Sequence, residues 1–211
     1  MLCFFLLIIA IAVVSAVIRT KLPYFVGRAA ENFVTDRLLR LGDSYIILND
    51  LLLPSGGNLK TTQIDHVVVS NYGIFCIETK AYQGWIFGNA NQRYWTQVIY
   101  RRREKFYNPL WQNYAHTKAL ESLIMSIYPK AKIVSLIAFP DADKIKVSGT
   151  NSVGHARDVV SMINRYTIPI LSDSERDEIC KILLSANMSD KESRQSHVQN
   201  VRNLKNEHCR R

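Results

Sequence analysis

The stretch "QIDHVVVSNYGIFCIETKAYQG", Gln63 to Gly84, decides how the chain is read. It predicts two apolar strands, Gln63–Val69 and Ile74–Thr79, joined by "SNYG" as a tight hairpin. Charged residues interrupt each strand: Asp65 heads the first, and Glu78 and Lys80 close the second. Carboxylates in such positions are costly unless something compensates them. A divalent cation is one compensation. Magnesium prefers oxygen ligands and takes one or two carboxylates, with waters and a substrate phosphate completing its shell. Asp65 and Glu78 supply two such carboxylates, and a backbone carbonyl near Thr79 supplies a third protein oxygen. Glu78 and Lys80 are two residues apart, so a strand turns both to one side. Lys80 would then sit beside the ion, placed to orient a water or to counter charge developing on phosphorus. The competing reading is a surface hairpin with an ordinary Glu–Lys pair. His66, next in line to Asp65, points to the opposite face and reads as structural.

Upstream, "KLPYFVG" reads as a short linker, and Phe33, Val34, Leu38 and Leu41 mark a helix that stops near Gly42. "YIILNDLLLP" reads as a strand and "SGGNLKTT" as a flexible turn. Downstream, "GWIFG" and "YWTQVIYRRR" read as two more strands. Pro109 opens a helix over "PLWQNYAHTKALESLIMSIY". "AKIVSLIAFP" has the unbroken apolar character of a strand buried on both faces, and "IKVSG" is a short strand beyond it. "GHARDVVSMINRY" reads as helical, and Ser172 with Glu175 has capping-box spacing at the start of a further helix. From Ser189 onward apolar residues almost vanish, which predicts a solvated helix or a disordered tail. This order predicts an α/β fold, a mixed sheet flanked by helices.

A formal charge of +9 favours an acidic partner, nucleic acid or an anionic membrane surface. Four cysteines without metal-type spacing favour a reducing compartment. No Gly-rich phosphate loop or nucleophile elbow is present, which argues against a nucleotide cofactor and serine-hydrolase chemistry. Met1 to Ile18 carries no charged side chain and is followed by Arg19 and Lys21. A membrane anchor, a signal peptide and a buried core helix compete here. The missing positive charge before the run favours the anchor, an N-terminal transmembrane helix with the bulk of the chain in the cytoplasm.

The ordered set "GRAAENF", "TQIDHVVVSNYGIFCIETKAYQGWIFG", "YWTQ" and "YNPLWQNYAHTKAL" resembles the nuclease-related domain (NERD) family, a branch of the PD-(D/E)xK restriction-endonuclease-like superfamily. The resemblance implies a restriction-endonuclease-like central mixed sheet flanked by helices, and Mg²⁺- or Mn²⁺-dependent hydrolysis of DNA. By position it makes Asp65 the motif aspartate, Glu78 the second acidic ligand and Lys80 the motif lysine. Glu31 corresponds to the family's helical acidic residue; read without the resemblance, it is an exposed helix position. Gln97 is placed to hold the site from the next strand. Gln112 and His116, at i and i+4, share a helix face near the substrate backbone, or else simply pack helix against sheet. Arg101, Arg102 and Arg103, with Lys105, suit phosphate contact, with Tyr94, Tyr100 and Tyr107 available to stack on bases. They equally suit a solvated sheet edge or attraction to lipid headgroups.

The expected organisation is an anchor over residues 1–20, a nuclease-like domain over 21–140, a helical extension over 141–188 and a polar basic tail over 189–211. The expected activity is that of a membrane-anchored, metal-dependent deoxyribonuclease. The alternative is a non-catalytic DNA-binding or membrane-associated module on the same fold.

Overall fold

The computed structural model describes residues 2–56 and 59–209; the side chains of 2–14, 16–20, 202 and 204–209 lie outside the description. The hairpin expected from Gln63 to Thr79 is present. Strand β2 (Thr61–Ser70) runs into β3 (Gly73–Thr79) through Asn71 and Tyr72, in the register Ser70↔Gly73 to His66↔Ile77. Gly73 has φ 147, and a Cβ there would lie 3.0 Å from the Lys132 carbonyl, so glycine suits the turn. β1 (Tyr45–Pro54) pairs antiparallel with β2. β7 (Ile133–Phe139), the unbroken apolar run, lies parallel to β3 and carries β9 (Val153–His155) on its far side. The resulting five-stranded mixed sheet has the order β1-β2-β3-β7-β9.

Alternation along β3 sends its residues to opposite faces of this sheet. Ile74 and Cys76 pack under α2 (Pro109–Ile124) and α4 (Asp173–Ala186), with Leu120, Ile124, Ile179 and Leu183. Phe75 and Ile77 pack under α1 (Leu2–Leu38) and α3 (Val159–Ile163), with Val34, Leu38, Val159 and Ile163. Each fully buried aliphatic side chain of this kind stabilises by about 1.5–3 kcal/mol. The Ser172–Glu175 capping box starts α4 as its spacing predicts.

Strict alternation fails at one place. Ile46, Leu48, Leu51 and Leu53 of β1 all join the same core. Asp50, between them, has φ 56 in the left-handed region, and the pairing skips from Asn49↔His66 to Leu51↔Ile64. On β2, Ile64 and Val67 likewise share that core although an odd number of positions separates them. Asp50 and Asp65 therefore mark a break in both strands.

The single central sheet expected from the sequence is corrected to two mixed sheets flanked by helices. β4 (Gly84–Asn89), β5 (Tyr94–Ile99), β6 (Arg102–Tyr107) and β8 (Ala142–Ser148) form a four-stranded sheet of order β6-β5-β4-β8. Gly84 begins it with φ 73, and a Cβ there would meet the Val98 carbonyl at 2.3 Å. Ile86, Trp95 and Phe106 pack its inner face against Ile137 and Phe139. β8 and β9 lie inside the segment expected to be a helical extension and add one strand to each sheet.

Other local readings also change. "YWTQVIYRRR" is two strands turning at Tyr100, whose φ of 52 makes a hairpin without a glycine to announce it. The basic run therefore lies on that turn and on β6 itself. The expected linker is helical, because α1 continues through Pro23 with one intrahelical donor missing. "GHARDVVSMINRY" contains β9, a short 3-10 turn (Ala156–Asp158) and α3 rather than one helix. The tail is helix α5 (Lys191–Cys209). Among the described residues no helix is long and apolar enough to cross a membrane. The side chains of the expected anchor, Ser15 apart, fall outside them.

Candidate active site

At the end of β3 the Glu78 carboxylate is buried, 3% exposed, and carries a dense set of partners. Lys80 Nζ lies 2.6 Å from Glu78 Oε1. Gln112 bridges the pair: its amide donates to Glu78 Oε1 at 2.6 Å, and its carbonyl accepts from Lys80 Nζ at 2.8 Å. His116 Nε2 is 3.1 Å from Glu78 Oε2, and His116 Nδ1 is 2.6 Å from Thr62 Oγ1. A carboxylate only accepts, so Nε2 carries the proton of this bond. Helix α2 presents Gln112 and His116 together because they are one turn apart. The start of that helix is tied down by Asn108, whose side chain accepts from Leu110 N–H and donates to the carbonyls of Ala90 and Gln92.

Asp65 lies one residue beyond the last β2–β3 pair and accepts the Thr79 backbone N–H at 2.7 Å. Burial raises its carboxyl well above the ordinary 3.8, and the Glu78 charge adds to this; the Thr79 amide opposes it. Burial also pushes the Glu78 carboxyl up, but the Lys80 ammonium and His116 together hold it down to about 2. Burial disfavours the charge on Lys80, yet Glu78 and Asp65 outweigh it and raise its affinity for a proton. Glu31 of α1 stands at the same cluster. Its carboxyl is raised by burial and by Asp50 and Glu78, against the lowering effect of Arg28. Arg28 is 3.8 Å from both Glu31 and Asp50.

The structure thus brings Glu31, Asp65, Glu78, Thr79, Lys80, Gln112 and His116 together. Gln97 is not with them: its amide donates to the Gln83 carbonyl at 2.9 Å, fixing the connection that follows Lys80. Arg101, Arg102 and Arg103 are exposed on the β5–β6 hairpin, and Arg102 pairs with Glu104. His66 is structural. Its Nδ1 bonds Asn49 Oδ1 at 2.8 Å and its Nε2 bonds Thr79 Oγ1 at 3.1 Å. Burial lowers its pKa to about 4, so it is neutral near pH 7.

Sequence reasoning missed three members. Asp50 lay unremarked within the strand "YIILNDLLLP", but Arg194 of α5 holds its carboxylate at 3.0 and 3.1 Å. Thr62 looked like turn polarity. Asn113 is fully buried, donating to the Cys76 carbonyl, Ser135 Oγ and the Leu136 carbonyl. Only its place on the α2 face one position past Gln112 hinted at that role.

Among the described residues no three His, Cys, Asp or Glu side chains gather closely enough to form a complete metal cage. The donor chemistry nevertheless fits a hard divalent cation of the kind that keeps most of its waters. Glu78 raises the proton affinity of both Asp65 and Glu31, Glu31 adds to that of Asp65, and Lys80 is the cation set beside Glu78 and Asp65. Asp65 is the carboxyl left least compensated. A dication beside it would favour its ionised form.

The nuclease-related domain family matches residues 26–140, which include Glu31, Asp65, Glu78, Lys80, Gln112 and His116. An uncharacterized protein of Bacillus anthracis, pXO1-01, is 34% identical over 209 residues, covering 96% of each chain. A solved protein of unknown function, AF1548, aligns over 84% of this chain and 98% of its own at 12% identity, with a TM-score of 0.31. The family match is consistent with the PD-(D/E)xK superfamily, and it spans more than half of the chain. The chain belongs to the nuclease-related domain family.

Proposed function

We propose that the chain is a metal-dependent nuclease that hydrolyses DNA phosphodiester bonds. The observation that carries this reading is the Asp65–Glu78–Lys80 cluster, closed from α2 by Gln112 and His116 and faced by Glu31. Asp65 and Glu78, with the backbone at Thr79, would hold Mg²⁺ or Mn²⁺. The bound cation would supply Lewis-acid stabilisation of phosphoryl charge and a more acidic water. Lys80 acts as a cation, because its raised proton affinity keeps it protonated. It is a donor to the attacking water or to a phosphoryl oxygen, not a base. Gln112 keeps the ammonium and the Glu78 carboxylate in one geometry. His116 holds the second oxygen of Glu78. Glu31, with its raised carboxyl pKa, accepts a proton from water closer to neutrality than an ordinary glutamate does.

A second reading, a non-catalytic DNA-binding module on this fold, has its own support. Both Glu78 oxygens are already engaged by Lys80, Gln112 and His116. One experiment separates the two. The full-length chain, in detergent, is incubated with supercoiled plasmid and Mg²⁺ or Mn²⁺. Nicking or cutting that Asp65→Ala and Lys80→Ala both abolish, with DNA binding retained, supports the nuclease. Cleavage untouched by both substitutions ends this mechanism.

The reading includes a membrane tether over residues 1–20, with the folded part in the cytoplasm. Its support is the uncharged run Met1–Ile18, the basic residues that follow, and the exposed Tyr24 and Phe25, suited to a headgroup layer. Chain recovered in the soluble fraction after cell lysis without detergent would overturn the tether.

A further inference from the structure

We propose that the outer face of the β4–β5–β6–β8 sheet binds an unpaired nucleic-acid strand. This deepens the nuclease reading by naming the form of its substrate, and it rests on that reading only for the consequence of binding. Two cross-sheet rows define the face. Strand pairing aligns Arg103, Val98, Trp85 and Lys144 in one row. It aligns Lys105, Thr96, Phe87 and Lys146 in the next. In both rows an aromatic ring lies inside and cations stand at the two edges. The alternate residues of the same strands, Ile86, Trp95 and Phe106, are buried on the inner face, so the outer set is held in register by a packed layer.

Trp85 is 43% exposed, and its ring centroid is 6.1 Å from that of Phe87 at a 40° tilt. Lys144 and Lys146 lie over the Trp85 ring at 5.0 and 5.3 Å, and Lys146 also lies 5.5 Å from Phe87. These lysines are exposed and can swing from the rings to phosphates. A cavity of about 810 Å³ runs along this face, with Trp85, Phe87, Tyr100, Arg103, Asp141 and Asp143 in its lining. Tyr100, 99% exposed at the hairpin turn, extends the platform.

Stacked aromatics between rows of cations fit bases whose faces are free, with phosphates on either side. A duplex hides its base faces, so it would meet only the cations. An anionic membrane would meet the same cations without using two rings at fixed spacing. The chain leaves β3 at Lys80 and enters β4 at Gly84, so the face and the candidate active site are joined by a short connection that Gln97 braces.

The test uses the full-length chain in detergent with EDTA, so that no cleavage intervenes. Fluorescent dT20, U20 and a 20-base-pair duplex are the probes. The proposal expects single strands to bind at least tenfold more tightly than duplex. It expects Trp85→Ala and Phe87→Ala each to weaken single-strand binding by about tenfold. Lys144→Glu with Lys146→Glu, both exposed and safe for folding, should weaken it as well and flatten the slope of log K against log salt by about 1.4, two contacts at about 0.7 each. A preference for dT or for U supports the proposal either way. Tighter duplex binding overturns it. So does parental single-strand affinity in the lysine double variant. Plasmid cleavage by Asp65→Asn is scored separately: its persistence sinks the Asp65-centred mechanism and leaves the strand-binding face to its own data.

Discussion

Asp50 and Asp65 occupy opposite positions of β1 and β2, at the rung that the strand pairing skips between Asn49↔His66 and Leu51↔Ile64. Their environments differ. Asp50 is held by Arg194 Nη1 at 3.0 and 3.1 Å and by Gln63 Nε2 at 2.7 Å, while Arg194 Nη2 bonds the Asp50 carbonyl at 3.0 Å. Asp65 instead meets Glu78 and Glu31 and, among the described residues, accepts the Thr79 backbone N–H. One aspartate thus fastens the C-terminal helix, and the other is left buried with two carboxyl groups as neighbours.

The first prediction concerns that fastening. Arg194 and Asp50 are each about one-third exposed, so screening keeps their contribution near that of a good surface pair, about 1 kcal/mol. Arg194→Ala should lower the melting temperature by about 2–4 °C for a chain of this size. An unchanged melting temperature would show that α5 is not anchored here.

Stability should depend on pH through Asp65. Its folded pKa lies above the ordinary 3.8, chiefly because of burial and then Glu78. The folded state therefore holds a proton that the unfolded chain releases. That contribution is full below the ordinary aspartate range and is lost as pH rises through the raised value. Glu78 acts in the opposite sense: its folded pKa, about 2, lies below the ordinary 4.5, so its contribution is lost as pH falls through that lower value. Without divalent metal, Asp65→Asn should be more stable than the parent at neutral pH, and the advantage should vanish in acid. Denaturant titrations at several pH values measure this, and equal midpoints for the two proteins throughout would contradict it.

Metal should displace that proton. Adding Mg²⁺ or Mn²⁺ to the metal-free chain in weak buffer, below the raised Asp65 pKa, should release protons and raise the melting temperature. Asp65→Asn should abolish both effects. Proton release of the same size from the variant would place the metal elsewhere.

Gln112 gives the fourth prediction. It donates to Glu78 and accepts from Lys80, so alanine removes both bonds and leaves the direct ion pair. Single-turnover DNA cleavage should fall about tenfold for Gln112→Ala, the lower end of what loss of a positioning interaction costs. Gln112→Glu should fall further, because a second carboxylate would oppose Glu78 and compete for Lys80. Parental rates in both variants would reduce Gln112 to packing.

Much of this was legible because it is local. Alternation along a strand is a property of the backbone, so Glu78 and Lys80 had to share a side. The Asn71–Tyr72 hairpin, the buried β7, the Pro109 helix start and the Ser172 cap follow from turn chemistry and apolar runs within a few residues. The pairing of Gln112 with His116 follows from helical period, though their common target, Glu78, does not.

What depended on distant parts of the chain was not legible. No short-range signal says that β8 pairs with β4 while β7 pairs with β3, and that choice divides one expected sheet into two. Tyr100 turns a hairpin in a backbone region that glycine usually marks, so the β5–β6 boundary left no trace. Asp50 and Arg194 are 144 positions apart, and Thr62 and His116 are 54 apart. The sequence by itself determined which residues carry charge into the apolar strands and that Glu78 and Lys80 share one side, because covalent geometry acts over two to four residues. Only the tertiary structure decided which helix closes over them, which carboxylate is neutralised and which is left uncompensated, because burial and Coulomb interactions depend on distances in space and not along the chain.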